Sequence, residues 1–275
     1  MKKLLSLIVA VFVLALAACG GTDTTKEKTA DGKTKIIVGA SAVPHAEILE
    51  AAKPLLAKKG IDLEVKVFQD YVLPNVALKE KEIDANYFQT PGYLDLEMEK
   101  KGYDFVSIGE VHKEPIGIYS KKYKSLADLP EGAKIIMSNS FSDHGRILPI
   151  FEKAGLIKLK AGVGANARVE DIVENPKKLD FSTLIEAKLL ATSFKNGEGD
   201  AVVINTNYAL EGKVDIKKYG IAFEGSDVVP SNLVVVRKGD EKRKELQTLV
   251  EVLQSKEIQD FIQEKYQGAV IPASK

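Results

Sequence analysis

From residue 35 onward the chain switches repeatedly between two hydrophobic periods. "KIIVGAS" (35–41) is a short, β-branched apolar run, which predicts a buried strand. In the next stretch, "PHAEILEAAKPLLAKKG", Ile48, Leu49, Ala52, Leu55 and Leu56 share one helical face, and Gly60 ends the pattern. "DLEVKVF" alternates Leu63, Val65 and Val67 with charge, predicting a strand with one wetter face. Pro74 and Asn75 introduce a short amphipathic helix, and "ANYFQTPGYLDLEMEKKG" predicts a brief strand and a further helix. This βα rhythm predicts a parallel sheet covered by helices.

"DFVSIGEVHKEPIGIYSKKY" reads as a long extended passage interrupted at Pro115, and a fresh helix–strand unit begins near residue 120. "KIIMSN" predicts a strand and "RILPIFEKAG" a helix, with Pro149 tolerable only near a helix start or at a kink. "AVVINTNYALEG" and "NLVVVRKGD" predict buried strands, and the last 30 residues predict one or two amphipathic helices. The restart predicts two α/β lobes. Open α/β sheets bind ligands beyond the carboxyl ends of their strands. Five polar-aromatic clusters stand at such ends: "FQDY", "NYFQT", "SNSFSDHGR", "INTNY" and "PSN". They are expected to converge on one cleft.

The first residues belong to no lobe. "MKK" followed by the apolar run "LLSLIVAVFVLALAA" has the form of a secretory signal, 1–18. "LAAC" resembles the lipobox of bacterial lipoproteins, in which the cysteine, here Cys19, is lipidated. Several acyl chains on one residue suffice for stable anchoring. Residues 20–34, "GGTDTTKEKTADGKT", cannot bury enough apolar surface to order themselves, so 19–34 reads as lipidated cysteine and tether. The expected place is the extracytoplasmic face of the cell membrane. The 275 residues carry 39 Lys+Arg against 39 Asp+Glu. That balance lacks the basic excess of a nucleic-acid binder.

"SNSFSDHGRIL" (138–148) concentrates the candidate chemistry. A Ser–His–acid triad needs a base within reach of its nucleophile and a third group orienting it, which adjacent loop residues rarely provide. His45, His112 and His144 lie far apart in sequence without a paired metal-ligand spacing. No GxxxxGK[ST] loop exists to cradle phosphate. What remains is a clamp: Arg146 near a helix start can pair bidentately with a carboxylate. Asn205, Asn207 and Asn232 can meet an ammonium through their amide oxygens, and Tyr71, Tyr87, Phe88 and Tyr93 can line an apolar slot or simply pack a core.

The segments "PHAEILE", "DYVLPNVAL", "IDANYFQ", "GIYSKKYKSLADLP", "DIVENPKKLDF", "AVVINTNYA" and "SNLVVVRKG" resemble the methionine-type substrate-binding lipoproteins of ABC importers, the NlpA lipoprotein family. The resemblance runs from the lipobox to the C-terminus. It implies an α/β, two-lobed periplasmic-binding-protein fold (type II-like) with its ligand cleft between lobes: 35–118 plus 229–275 in one, 119–228 in the other. It implies a monomer that closes on D- or L-methionine or a close analogue and docks on a permease driven by ATPases, with no catalysis, cofactor or metal. Carried over residue by residue, the ligand arginine falls on Arg146, the strand-end asparagines on Asn205 and Asn232, and the aromatic walls on Tyr71 and Phe88. Two stretches depart from the family. "FQT" puts Thr90 where a ring often packs, enlarging the slot. "SNSFSDHGR" puts Asp143 and His144 beside the arginine, where the acid could meet an ammonium or repel a carboxylate. A methionine-containing dipeptide or another apolar amino acid therefore stays open as ligand. From other classes, so do an enzyme on the same scaffold and an adhesin or immunogenic lipoprotein.

Overall fold

The first strand, β1 (Thr34–Ser41), lies between β2 (Ile61–Phe68) and β3 (Ala85–Gln89), both parallel to it. Ile36, Val38 and Ala40 are completely buried, whereas Asp62 and Glu64 hold β2 at the sheet edge. Helices α1 (Glu47–Lys58), α2 (Leu73–Lys79) and α3 (Pro91–Lys101) connect these strands, and α1 seats Ile48, Leu49, Ala52 and Leu56 in the core. The computed structural model describes residue 29 and residues 32–273. The expected signal, Cys19 and most of the tether lie outside the described residues. Among those described, no helix is long and apolar enough to cross a membrane.

After β4 (Phe105–Lys113) the chain crosses into a second sheet through residues 114–116. There β5 (Gly117–Tyr119) and β6 (Lys134–Ser138) precede α4 (Phe141–Lys153) and a small antiparallel pair, β7 (Lys158–Leu159) with β8 (Ile172–Glu174). Then follow β9 (Asp180–Ile185), α5 (Ala187–Asn196), β10 (Ala201–Ile204), α6 (Thr206–Glu211), α7 (Ile216–Tyr219) and β11 (Gly220–Phe223). Residues 224–230 return to the first sheet, where β12 (Ser231–Arg237), α8 (Lys244–Leu253), α9 (Lys256–Tyr266) and β13 (Ile271–Pro272) complete it. The two crossings hold each other. The Glu224 N–H donates to the Ile116 carbonyl at 2.9 Å, and the Glu224 carboxylate accepts from the Ile116 N–H at 3.2 Å.

The sheets run β13-β4-β12-β3-β1-β2 and β11-β5-β10-β6-β9. Neither is purely parallel as the βα rhythm predicts. Each accepts an antiparallel strand that has just crossed from the other lobe, β12 beside β3 and β5 beside β10. A crossing strand enters from the cleft side, against the direction of the βα units, so the exchange of strands forces the mixture.

Helix α4 begins at Phe141, five residues before the predicted start, so Arg146 stands in its second turn. Pro149 is interior, where its missing N–H leaves the Gly145 carbonyl without its helical partner. The reason for Gly145 is contact: a Cβ there would collide with the Ala165 backbone, which a tight turn at Gly164–Asn166 lays across the helix. Gly145→Ala is expected to destabilise the protein by about 1–3 kcal/mol through overpacking. Urea unfolding checks this, and unchanged stability would mean that the turn is not seated on α4.

Candidate functional site

Between the lobes, against the first crossing, lies a cavity of about 40 Å³. The cavity collects side chains from every predicted cluster: Tyr71 after β2, Phe88 and Thr90 around the end of β3, Asp143 and Arg146 from α4, Asn205 and Asn207 after β10, and Asn232 on β12. His144 is the exception among the expected residues. It is buried with Nε2 at 2.9 Å from the Ser138 carbonyl and its ring against Phe141, so it braces the start of α4 and does not line the cavity.

The apolar wall is a box of rings. Tyr71 lies 6.0 Å from Phe88, 5.7 Å from Tyr93 and 5.0 Å from Tyr208, centroid to centroid. Its hydroxyl donates to Asn207 Oδ1 at 2.6 Å, while Tyr93 donates to the Tyr71 carbonyl at 3.0 Å. Tyr71 thereby ties the first lobe to α6 of the second. Tyr87, by contrast, is completely buried and belongs to the core beneath.

Arg146 is not the free fork that the sequence suggests. Its Nε donates to Glu224 Oε1 at 3.0 Å, and its Nη2 donates to Glu224 Oε2 at 2.5 Å and to the Glu114 carbonyl at 2.9 Å. Only Nη1 is without a partner among the described residues. A guanidinium with only 16% of its side chain exposed is favoured by a counter-charge in the protein itself, and Glu224 supplies it from the second crossing. The arginine also borders a larger groove of about 880 Å³, which shares Thr90 with the inner cavity.

The floor of the cavity is a relay that sequence spacing concealed. His45 follows β1, His112 ends β4 and Glu114 begins the crossing. The two imidazoles lie 4.9 Å apart. His112 Nε2 is 2.7 Å from Glu114 Oε1, and His45 Nε2 is 3.3 Å from the same oxygen and 3.0 Å from Asn232 Oδ1. Burial holds the Tyr87 phenol protonated, so it donates to His112 Nδ1, and the His112 proton sits on Nε2 facing the carboxylate. Burial also lowers His45 to about 4 and His112 to about 3, so both rings are neutral at pH 7. The same burial raises Glu114. His45, His112 and Glu114 are, among the described residues, the trio able to hold a metal ion, with donor atoms within 4.8 Å. Distance in sequence was thus a poor argument against them, because β3 and β12 bring the ends of β1 and β4 together. His45 Nε2, His112 Nε2 and Glu114 Oε1 already engage one another, while His45 Nδ1 is buried without a partner among the described residues.

Sequence reasoning also missed Glu114 and Glu224. The only signal was an acid directly before Pro115 in the extended passage, and a second acid before the turn that leads to β12.

Several relatives match along most or all of the chain. Residues 36–274 match the NlpA lipoprotein family. The methionine-binding lipoprotein MetQ of Bacillus subtilis is 48% identical over 279 residues, covering 100% of both chains. The D-methionine-binding lipoprotein MetQ of Salmonella typhimurium is 38% identical, over 94% of this chain and 93% of its own. Among solved structures, a nutrient-binding protein of Burkholderia cenocepacia bound to methionine superposes with a TM-score of 0.82 at 40% identity, covering 87% of this chain and 100% of that one. A match that spans both lobes and both crossings leaves one conclusion: this chain belongs to the NlpA lipoprotein family.

Proposed function

We propose that this protein is a lipid-anchored, monomeric receptor that captures methionine, D or L, or a close analogue outside the cell membrane. It then delivers the ligand to the permease and ATPases of an ABC importer. The observation that carries this reading is the inner cavity. Its lining combines a half-free guanidinium, amide groups and buried acids with the rings of Tyr71, Phe88 and Tyr93, behind which Tyr208 packs on Tyr71. An α-amino acid with an apolar tail presents that complement, and a thioether against aromatic rings is a favourable contact. The lobes would comprise 35–118 with 229–275, and 119–228, hinged at the two crossings. Nothing in the cavity sets a base beside a nucleophile: Thr206 donates its hydroxyl to the Pro115 carbonyl. This supports a non-enzymatic role.

The groove beside Arg146 favours one second reading, a methionine-containing dipeptide whose extra residue projects past Thr90. Native mass spectrometry of the purified protein separates the two. One methionine mass on the folded protein is the expected result, and a dipeptide mass supports the second. Retention of a ligand without a free carboxylate would overturn both.

A further inference from the structure

The amide oxygens expected to receive the ligand's ammonium are mostly taken. Asn207 Oδ1 accepts from Tyr71, and Asn232 Oδ1 faces His45 Nε2. What these residues leave toward the cavity are Nδ2 donors, which suit a carboxylate, as does Arg146 Nη1. The Asn207 Nδ2 is buried and without a partner among the described residues. The acceptors point elsewhere. Asp143 is 7% exposed and lines the cavity. Its Oδ1 accepts from Asn205 Nδ2 at 3.2 Å, while its Oδ2 is buried with no hydrogen-bond partner among the described residues. Glu114 lines the same cavity with Oε1 held by two imidazoles.

Charge points the same way. Arg146 is paired with Glu224 and both imidazoles are neutral, so Asp143 and Glu114 have only this one, already paired, guanidinium as a nearby cation. A buried carboxylate oxygen without a donor is costly, and a ligand ammonium would supply both the charge and the hydrogens. We propose that the ligand's α-ammonium is read by carboxylates, with Asp143 Oδ2 as its direct acceptor and Glu114 as the second negative charge. The site is thereby selective for a free cationic nitrogen. This rests on the amino-acid-receptor reading above and adds to it the class of ligand excluded: 2-hydroxy acids and N-acylated amino acids.

The test is isothermal titration of three compounds that share the thioether and carboxylate: methionine, its 2-hydroxy counterpart and N-acetylmethionine. Each is titrated into the parent protein, Asp143→Asn and Glu114→Gln. The parent should prefer methionine by roughly 100-fold or more, as a site does when a missing group strands its buried partner. Asp143→Asn, which keeps the acceptor for Asn205, should weaken methionine roughly 10- to 100-fold. It should leave the hydroxy acid unchanged or bound more tightly, because a repulsion on the carboxylate is removed. Equal loss for both compounds in Asp143→Asn, or a parent that binds the hydroxy acid as well as methionine, overturns the proposal. If Asp143→Asn does not fold, Glu114→Gln carries the same comparison. If the parent ignores methionine but binds another α-amino acid over its hydroxy acid, the methionine reading falls and this inference stands. If it binds no α-amino acid, both fall.

Discussion

Arg146→Ala is expected to abolish methionine binding and, in the ligand-free protein, to cost about 3–5 kcal/mol, because one partner of a buried ion pair is removed and the other stranded. Glu224 is the stranded partner, with its side chain 4% exposed. The arginine's Nη2 also holds the Glu114 carbonyl, so the first crossing loosens along with the second. Loss of binding in this variant therefore does not separate a missing clamp from a damaged cleft. The double variant Arg146→Met, Glu224→Gln does. Glutamine keeps an acceptor for the Ile116 N–H, the uncompensated charge is gone, and replacing a buried pair by neutral groups is often close to neutral. The double variant should recover most of the lost stability in urea unfolding and still show no methionine-induced rise in melting temperature. The affinity lost should correspond to roughly 2–5 kcal/mol, as for truncating a buried charged partner. Restored binding in the double variant would show that Nη1 does not hold the ligand. An Arg146→Ala variant as stable as its parent would show that the ion pair does not support the crossings.

What the sequence made legible was what local periodicity encodes. The strand runs at 35–41 and 231–237 and the helix behind "PHAEILE" appear where their apolar spacing puts them, because each buries a face that only one register can bury. Four of the clusters meet because their βα units point carboxyl ends at the same cleft, whereas "PSN" reaches it from the amino end of the antiparallel β12. The antiparallel strands were hidden, since β5 and β12 owe their direction to the lobe they leave and not to any pattern within them. The start of α4 was hidden for a different reason. "SNSFSDHGR" is polar enough to read as loop, yet Asp143, His144 and Ile147 turn inward on one helical face. Most of the site's electrostatics was illegible. Glu114 and Glu224 stand outside regular elements, 110 residues apart in the chain, and nothing local announces that one sits beside two histidines and the other pairs with Arg146. The same blindness made three scattered histidines seem unrelated, when two share a carboxylate.

The pH response of that relay gives the second large effect. His112 is lowered by burial to about 3, against an ordinary value of 6.5. A base whose folded value is depressed contributes stability that is fully present above about 6.5 and is lost as pH falls toward its folded value, because only the unfolded chain takes up the proton. Each pH unit in that window costs about 1.4 kcal/mol. The acids work against it. Glu114 and Asp143 are raised by burial, so their contribution is present below their ordinary values and lost as pH rises through the folded ones. The parent's net slope mixes both signs, and the informative quantity is a difference. His112→Gln keeps an acceptor for Tyr87 and a donor for Glu114 but cannot titrate. Its unfolding free energy should fall less steeply than the parent's on acidification from pH 6.5 to 4.5, by about 1.4 kcal/mol per unit and so about 3 kcal/mol over the window. Parallel stability curves would mean that His112 titrates like an exposed imidazole and that the relay beneath the cavity is hydrated. His45→Gln should show the same divergence ending sooner, near pH 4, because the shared Glu114 carboxylate and Asn232 partly offset the burial of that ring. Burial alone sets the depth of the His112 shift, while the 2.7 Å contact identifies His112 Nε2 as a donor to Glu114.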